Sequence, residues 1–116
     1  MLTSKQLVQL AKQAAEEKKG CDPVIIDLKG ESTMASYFLI VHGTSDRHVK
    51  AIAESVIDAL GEAGEPVWHR EGLQEGRWAL LDYGDVVVHV FHYEARTFYN
   101  LERLWGGLHQ TRNHAR

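Results

Sequence analysis

The chain has 116 residues, 44% hydrophobic and 25% charged, the balance of a globular domain that can bury a core without metals or disulfides. Its net charge of −3 argues against a domain that mainly grips nucleic-acid phosphates, which would carry a basic excess, and suits a basic protein partner. A single cysteine, Cys21, excludes an intrachain disulfide; with no apolar leader and no run of about 20 apolar residues, a cytoplasmic protein without a membrane span is expected.

Thr3 and Gln6 have capping-box spacing, and Leu7, Leu10, Ala11, Ala14 and Ala15 follow at helical spacing. A first helix is predicted, stopped by Gly20. The short, branched run Val24-Ile25-Ile26-Asp27-Leu28 reads as a strand. After a polar connection over 29–36, Tyr37-Phe38-Leu39-Ile40-Val41 is a second strand, apolar enough to be covered on both faces. It runs into His42-Gly43-Thr44-Ser45-Asp46, where Thr44 or Ser45 can cap a second helix. That helix carries Val49, Ile52, Ala53, Val56, Ile57 and Leu60 on one face, and Gly61 and Gly64 end it. Residues 66–70 read as a short third strand and 71–76 as a Gly-bounded loop. Residues 77–81 and 86–92 are two more strands around Asp82-Tyr83-Gly84-Asp85, a tight turn in which Gly84 is free to take positive φ. A last helix is expected over 94–105, with Phe98, Leu101 and Trp105 on one face, then a tail over 106–116 without apolar pattern. The order α-β-β-α-β-β-β-α predicts one α/β domain over 1–105: a mixed sheet of about five strands with helices packed on it.

Three candidate chemistries follow from the residues. The passage from Ile40 to Asp46 could bind an anion at a helix N-terminus, but it has neither a P-loop nor a dinucleotide fingerprint, and a capped helix start explains it. A strand-Gly-Ser-helix passage in a small mixed sheet also resembles nucleotidyltransferases. That resemblance implies paired carboxylates, spaced one apart, on the next strand to hold magnesium; Pro66-Val67-Trp68-His69-Arg70 offers a histidine and an arginine instead. The seven histidines have no metal-ligand spacing, and His89, sharing a face with Val87 and Phe91, reads as packed. No metal or cofactor is expected. Around the turn, Trp78, Tyr83, Asp82 and Asp85 either form a hot spot for a basic partner or supply core and turn geometry, with Glu71 and Glu75 adding negative charge nearby.

Several linked segments carry a family resemblance: Gly43-Thr44-Ser45-Asp46-Arg47-His48-Val49; Glu71-Gly72; Trp78-Ala79-Leu80-Leu81-Asp82-Tyr83-Gly84-Asp85-Val86-Val87-Val88-His89-Val90-Phe91; and Arg96-Thr97-Phe98-Tyr99-Asn100-Leu101-Glu102-Arg103-Leu104-Trp105. In order and spacing they resemble the ribosomal silencing factor family, RsfS or Iojap. Ser36 stands where many members have Asp. The resemblance implies a binding protein with a nucleotidyltransferase-like fold lacking the catalytic carboxylates. Its expected partner is the large ribosomal subunit, bound through ribosomal protein number fourteen at the intersubunit face, so that the small subunit cannot join and translation falls under nutrient limitation. Large-subunit assembly, or a nucleotide-binding enzyme, are the alternative functions; a homodimer is compatible, and direct reading of nucleic acid is not expected. On this reading Trp78 and Tyr83 are apolar anchors, and Asp82, Asp85 and Glu71 accept from basic side chains of the partner. Arg47 and His48 brace the hairpin or form the rim, and Arg96 and Tyr99 hold the last helix to the sheet.

Overall fold

The structure, a computed structural model, describes residues 2–28 and 35–99, with backbone alone for 97–99. The elements are α1 (Ser4–Glu17), β1 (Cys21–Asp27), β2 (Tyr37–Gly43), α2 (Asp46–Glu62), β3 (His69–Glu71), β4 (Trp78–Asp82), β5 (Val86–His92) and α3 (Tyr93–Tyr99). The expected α-β-β-α-β-β-β-α order is what the chain adopts. The proposed apolar face of Phe98, Leu101 and Trp105, the role given to Tyr99, and the tail over 106–116 lie outside the described residues and side chains.

The five strands form one sheet in the order β1-β2-β5-β4-β3. The central pair, β2 and β5, is parallel, with Tyr37 opposite Val86 and Gly43 opposite His92. The other neighbours are antiparallel. Helices α1 and α2 cover one face. Leu7, Val8, Ala11, Ile52, Val56 and Leu60 meet Leu39, Val41, Val88 and Val90 there, all fully or nearly fully buried. The alanines of α1 leave little between it and α2, and Ser55 Oγ donates to the Ala14 carbonyl at 2.9 Å. The opposite face has a smaller core of Val24, Ile26, Ile40 and Phe91 with Leu28, Ala35 and Ala95.

Local chemistry sets the boundaries. Thr3 and Gln6 close the reciprocal capping box of α1, and Ser45 caps α2 by accepting from the His48 N–H. Two glycines act differently from expectation. The left-handed residue after α1 is Lys19, at φ 60; Gly20 is required by crowding, since a Cβ there would sit 2.8 Å from Val41 Cγ2. Gly61 lies inside α2, which continues to Glu62, and Gly64 takes the positive φ beyond it. Strand β1 reaches back through Pro23, tolerable because β1 is an edge and its register is irregular between Cys21 and Val24. Strand β3 begins three residues later than the apolar pattern predicts. Pairing with β4, which sets His69 opposite Asp82, overrides the Pro66–Val67 signal.

Candidate protein-docking face

The period of two along a strand divides the hairpin cleanly. Val86, Val88 and Val90 point to the helices with Ala79 and Leu81. Val87, His89 and Phe91 point the other way, each opposite a residue of β4: Asp82, Leu80 and Trp78. Helix α3 packs on the β1–β2–β5 part of this face through Ala95, and strand β3 extends the face at the other edge with His69 opposite Asp82 and Glu71 opposite Leu80. Phe38, Val87, Trp78 and Leu80 are only half-buried on it.

His89 is the centre of the face. It is 5% exposed, and its Nδ1 accepts from the Trp78 indole N–H at 3.1 Å. Phe38 meets the imidazole edge-on at 4.8 Å between centroids, and Phe91 lies 4.9 Å from the Trp78 ring. An accepting Nδ1 places the ring proton on Nε2, which is buried with no partner. Burial lowers the His89 pKa to about 4, so the ring is neutral at physiological pH. Trp78 is therefore oriented by a neutral hydrogen bond and two aromatic contacts, and is half-buried.

The rim is acidic. Glu71 and His69 are exposed neighbours on one face of β3, Nε2 and Oε2 2.6 Å apart. Asp82 lies on the same face, where one carboxylate oxygen accepts from the Gly84 N–H at 2.8 Å. Asp82 thus shapes the turn and keeps its second oxygen for other donors. Asp85, exposed at the tip, accepts from Ser4 Oγ at 3.0 Å.

The structure brings Trp78, Asp82 and Glu71 onto one face and separates the rest. Tyr83 is not an exposed anchor. The turn sends its side chain to the helix-covered face, where it is 7% exposed among the α1–α2 core residues; burial there raises its pKa to about 12. His48 is committed inside the molecule: Nδ1 accepts from the Thr44 N–H at 2.9 Å and Nε2 reaches the Lys18 carbonyl at 2.7 Å. It ties the end of α1 to the start of α2 rather than bracing the hairpin. Arg47 is exposed beside it. Arg96 is buried as expected of a helix brace, its guanidinium donating to the Cys21 carbonyl at 3.3 Å and reaching His42 Nδ1 at 2.8 Å. The sequence reading missed Phe38, Leu80 and His69 as members of the face; strand alternation across β2, β4 and β3 is the signal that finds them.

The Glu71-Gly72 motif is explained by packing. Gly72 has φ +79, and a Cβ there would collide with the Trp78 carbonyl; Gly76 has φ +70, and a Cβ there would lie 2.6 Å from Asp46 Cβ. The two glycines press the 72–76 loop against β4 and the first turn of α2.

The ends of β2 and β5, where parallel strands present ligand sites, border a cleft lined by Thr44, Ser45, Asp46, Glu75, Arg77 and Glu94. Three carboxylates against one arginine disfavour a phosphate there. Among the described residues no group of three His, Cys, Asp or Glu side chains could hold a metal ion, and no helix is long and apolar enough to cross a membrane.

Residues 1–115 match the family model for "Ribosomal silencing factor during starvation", RsfS. The ribosomal silencing factor RsfS of Bacillus subtilis is 47% identical over 105 residues, 90% of this chain and 89% of that protein. A crystal structure of a Chromobacterium violaceum protein superposes with a TM-score of 0.89 at 36% identity, covering 99% of this chain and 94% of that one. A mouse protein named for mitochondrial assembly of the ribosomal large subunit is 32% identical over 87 residues, 72% of this chain and 38% of that protein.

Proposed function

The chain belongs to the ribosomal silencing factor (RsfS) family, and from that premise we propose that it binds the large ribosomal subunit and keeps the small subunit from joining. The family is one of regulatory proteins. The proposal adds a partner, ribosomal protein number fourteen at the intersubunit face, a cytoplasmic location, and steric exclusion as the means. Control is then by occupancy: repression follows the fraction of large subunits bound, with no turnover required.

The observation that carries this reading is the sheet face opposite α1 and α2, where Trp78 and Leu80 line β4 beside the carboxylates of Glu71 and Asp82. A half-buried tryptophan held by His89 is a pre-organised anchor, and a carboxylate rim suits a basic ribosomal protein. Asp85 and Arg47, away from this centre, belong to the periphery of the interface.

Sucrose-gradient sedimentation with purified subunits tests the proposal. The protein is expected to co-migrate with large subunits and to reduce the joined-ribosome peak in proportion to occupancy. Failure of both would end the silencing reading. Co-migration without an effect on joining would favour the assembly role in the mouse relative's name.

A further inference from the structure

Trp68 is 76% exposed, an unusual position for the residue with the largest apolar surface. Its position is not accidental. The six-membered ring lies against Gly84 at the tip of the β4–β5 turn, so that a Cβ on Gly84 would be 3.0 Å from Trp68 Cη2. The Trp68 N–H donates to the Asp82 carbonyl at 2.9 Å, fixing its backbone to the same hairpin. A glycine with φ +89 thus gives the indole a seat and leaves most of its surface in solvent.

Beside this ring is a cleft of about 460 Å³, lined by Leu2, Leu7, Glu65, Trp68, Tyr83 and Asp85 with Ser4, Gly84 and Val86, and no basic side chain lines it among the described residues. Arg70 lines a neighbouring cleft with Trp68 and His69, and its charge reaches the Tyr83 hydroxyl. Both carboxylates are anchored through internal donors, Glu65 by the Leu2 N–H at 3.2 Å and Asp85 by the Ser4 hydroxyl at 3.0 Å. Each has a second oxygen with acceptor capacity. A further observation is independent of these charges. Tyr83, 7% exposed, lines the same cleft, and its hydroxyl is buried without a hydrogen-bond partner. A buried hydroxyl left unpaired is costly and is repaid where a polar group arrives from outside.

An open indole face, two held carboxylates and an unsatisfied hydroxyl together suit a planar cation. The geometry points to the Trp68–Asp85 cleft as the seat of an arginine side chain from a basic protein partner, the guanidinium lying on the indole and its N–H groups donating to Asp85 and Glu65. A nucleic-acid backbone is disfavoured because its phosphates would face the same carboxylates. The cleft lies on the helix-covered side of the sheet, and the Asp82–Val86 turn separates it from the docking face. The inference rests on the proposed ribosomal partner for the origin of the arginine, but not for the chemistry of the seat.

Two measurements on the full chain decide it. In the first, isotope-labelled protein is titrated with acetyl-Gly-Arg-Gly-amide and, separately, acetyl-Gly-Glu-Gly-amide. The Trp68 indole and Gly84 amide signals are expected to shift saturably with the arginine peptide alone, and the shift to disappear in the Glu65→Gln, Asp85→Asn double variant, whose amides keep the acceptors for Leu2 and Ser4. No saturable shift, or the same shift with both peptides, overturns the proposal whether or not ribosomes bind. In the second, Trp68→Ala is compared with wild type in large-subunit binding, where a loss of about tenfold is expected. Equal affinity of the two proteins overturns the assignment of the cleft to this partner. If Trp68→Ala alters only self-association, read by light scattering, the occupant is a second copy and the proposal fails. Absence of wild-type binding refutes the ribosomal reading by itself and leaves the peptide titration to judge the seat.

Discussion

Lowering the pH from about 7 to 5 is expected to weaken the fold by about 2 kcal/mol through His89 alone. The imidazole is 5% exposed, and burial lowers its pKa from 6.5 to about 4. The unfolded chain therefore takes up a proton near pH 6.5 that the folded chain refuses until near pH 4. The unfolded state binds more protons throughout that window, so stability rises with pH there. The contribution is complete above pH 6.5 and is lost as the pH falls toward 4, by which point it amounts to about 3 kcal/mol. Urea denaturation followed by tryptophan fluorescence, repeated across this range, measures the slope. His89→Phe keeps a ring among Phe38, Trp78 and Phe91 but cannot titrate. It loses the acceptor for the Trp78 indole, a pH-independent cost of about 1 kcal/mol. His89→Asn restores an acceptor near the Nδ1 position and is also untitratable. Every other titratable group is shared with wild type, so the difference between the curves isolates His89. Both variants should show a slope flatter by the stated amount. Identical pH dependence in wild type and His89→Phe would refute the reasoning.

Other consequences can be checked in the same preparations. Gly72→Ala should cost about 2–4 kcal/mol in urea denaturation, because it strains a left-handed backbone and drives a Cβ into the Trp78 carbonyl. Tyr83→Phe should be neutral or stabilise by up to about 1 kcal/mol, since it removes a buried hydroxyl that has no partner; a clear loss of stability would contradict that accounting. His48→Ala should destabilise by about 2 kcal/mol while leaving large-subunit affinity at saturating folded fraction unchanged, as the ring serves Thr44 and Lys18 internally. In sedimentation, Trp78→Ala should weaken large-subunit binding by at least tenfold if it is an anchor. Asp82→Asn removes the charge while an amide oxygen still accepts from Gly84; a several-fold loss with stronger effect at low salt is expected.

The sequence carried the element order because the signals were local: capping box, helical periodicity, branched strands and a Gly turn. It failed where the decisive force was non-local. The start of β3 is set by pairing with β4, which no pattern within 66–71 reports. Gly20 and Gly72 read as flexible punctuation; Gly20 is fixed by its approach to Val41, and Gly72 by its approach to Trp78 as well as its positive φ. For the docking face, Trp78, Asp82 and Glu71 were legible as a cluster around one turn. The error over Tyr83 came from treating neighbours in sequence as neighbours on a surface. Strand alternation sends Trp78 and Asp82 one way, and the residue after Asp82 the other. His48 read as either a brace for the hairpin or a rim residue, because its partners, Lys18 and Thr44, lie on two separate connections.

The central strand pair has a kinetic consequence. Strand β2 is flanked by β1, adjacent in sequence, and by β5, whose Val86 pairs with Tyr37 across the intervening helix and two further strands. During synthesis, α1, β1 and β2 can assemble as soon as they emerge, but one edge of β2 stays unpaired until β5 has been made. Most of the native strand contacts wait for that long-range closure, so folding should be slow for a chain of this size. In the interval the nascent chain carries an open, strongly apolar strand edge, the feature by which such intermediates mispair with one another.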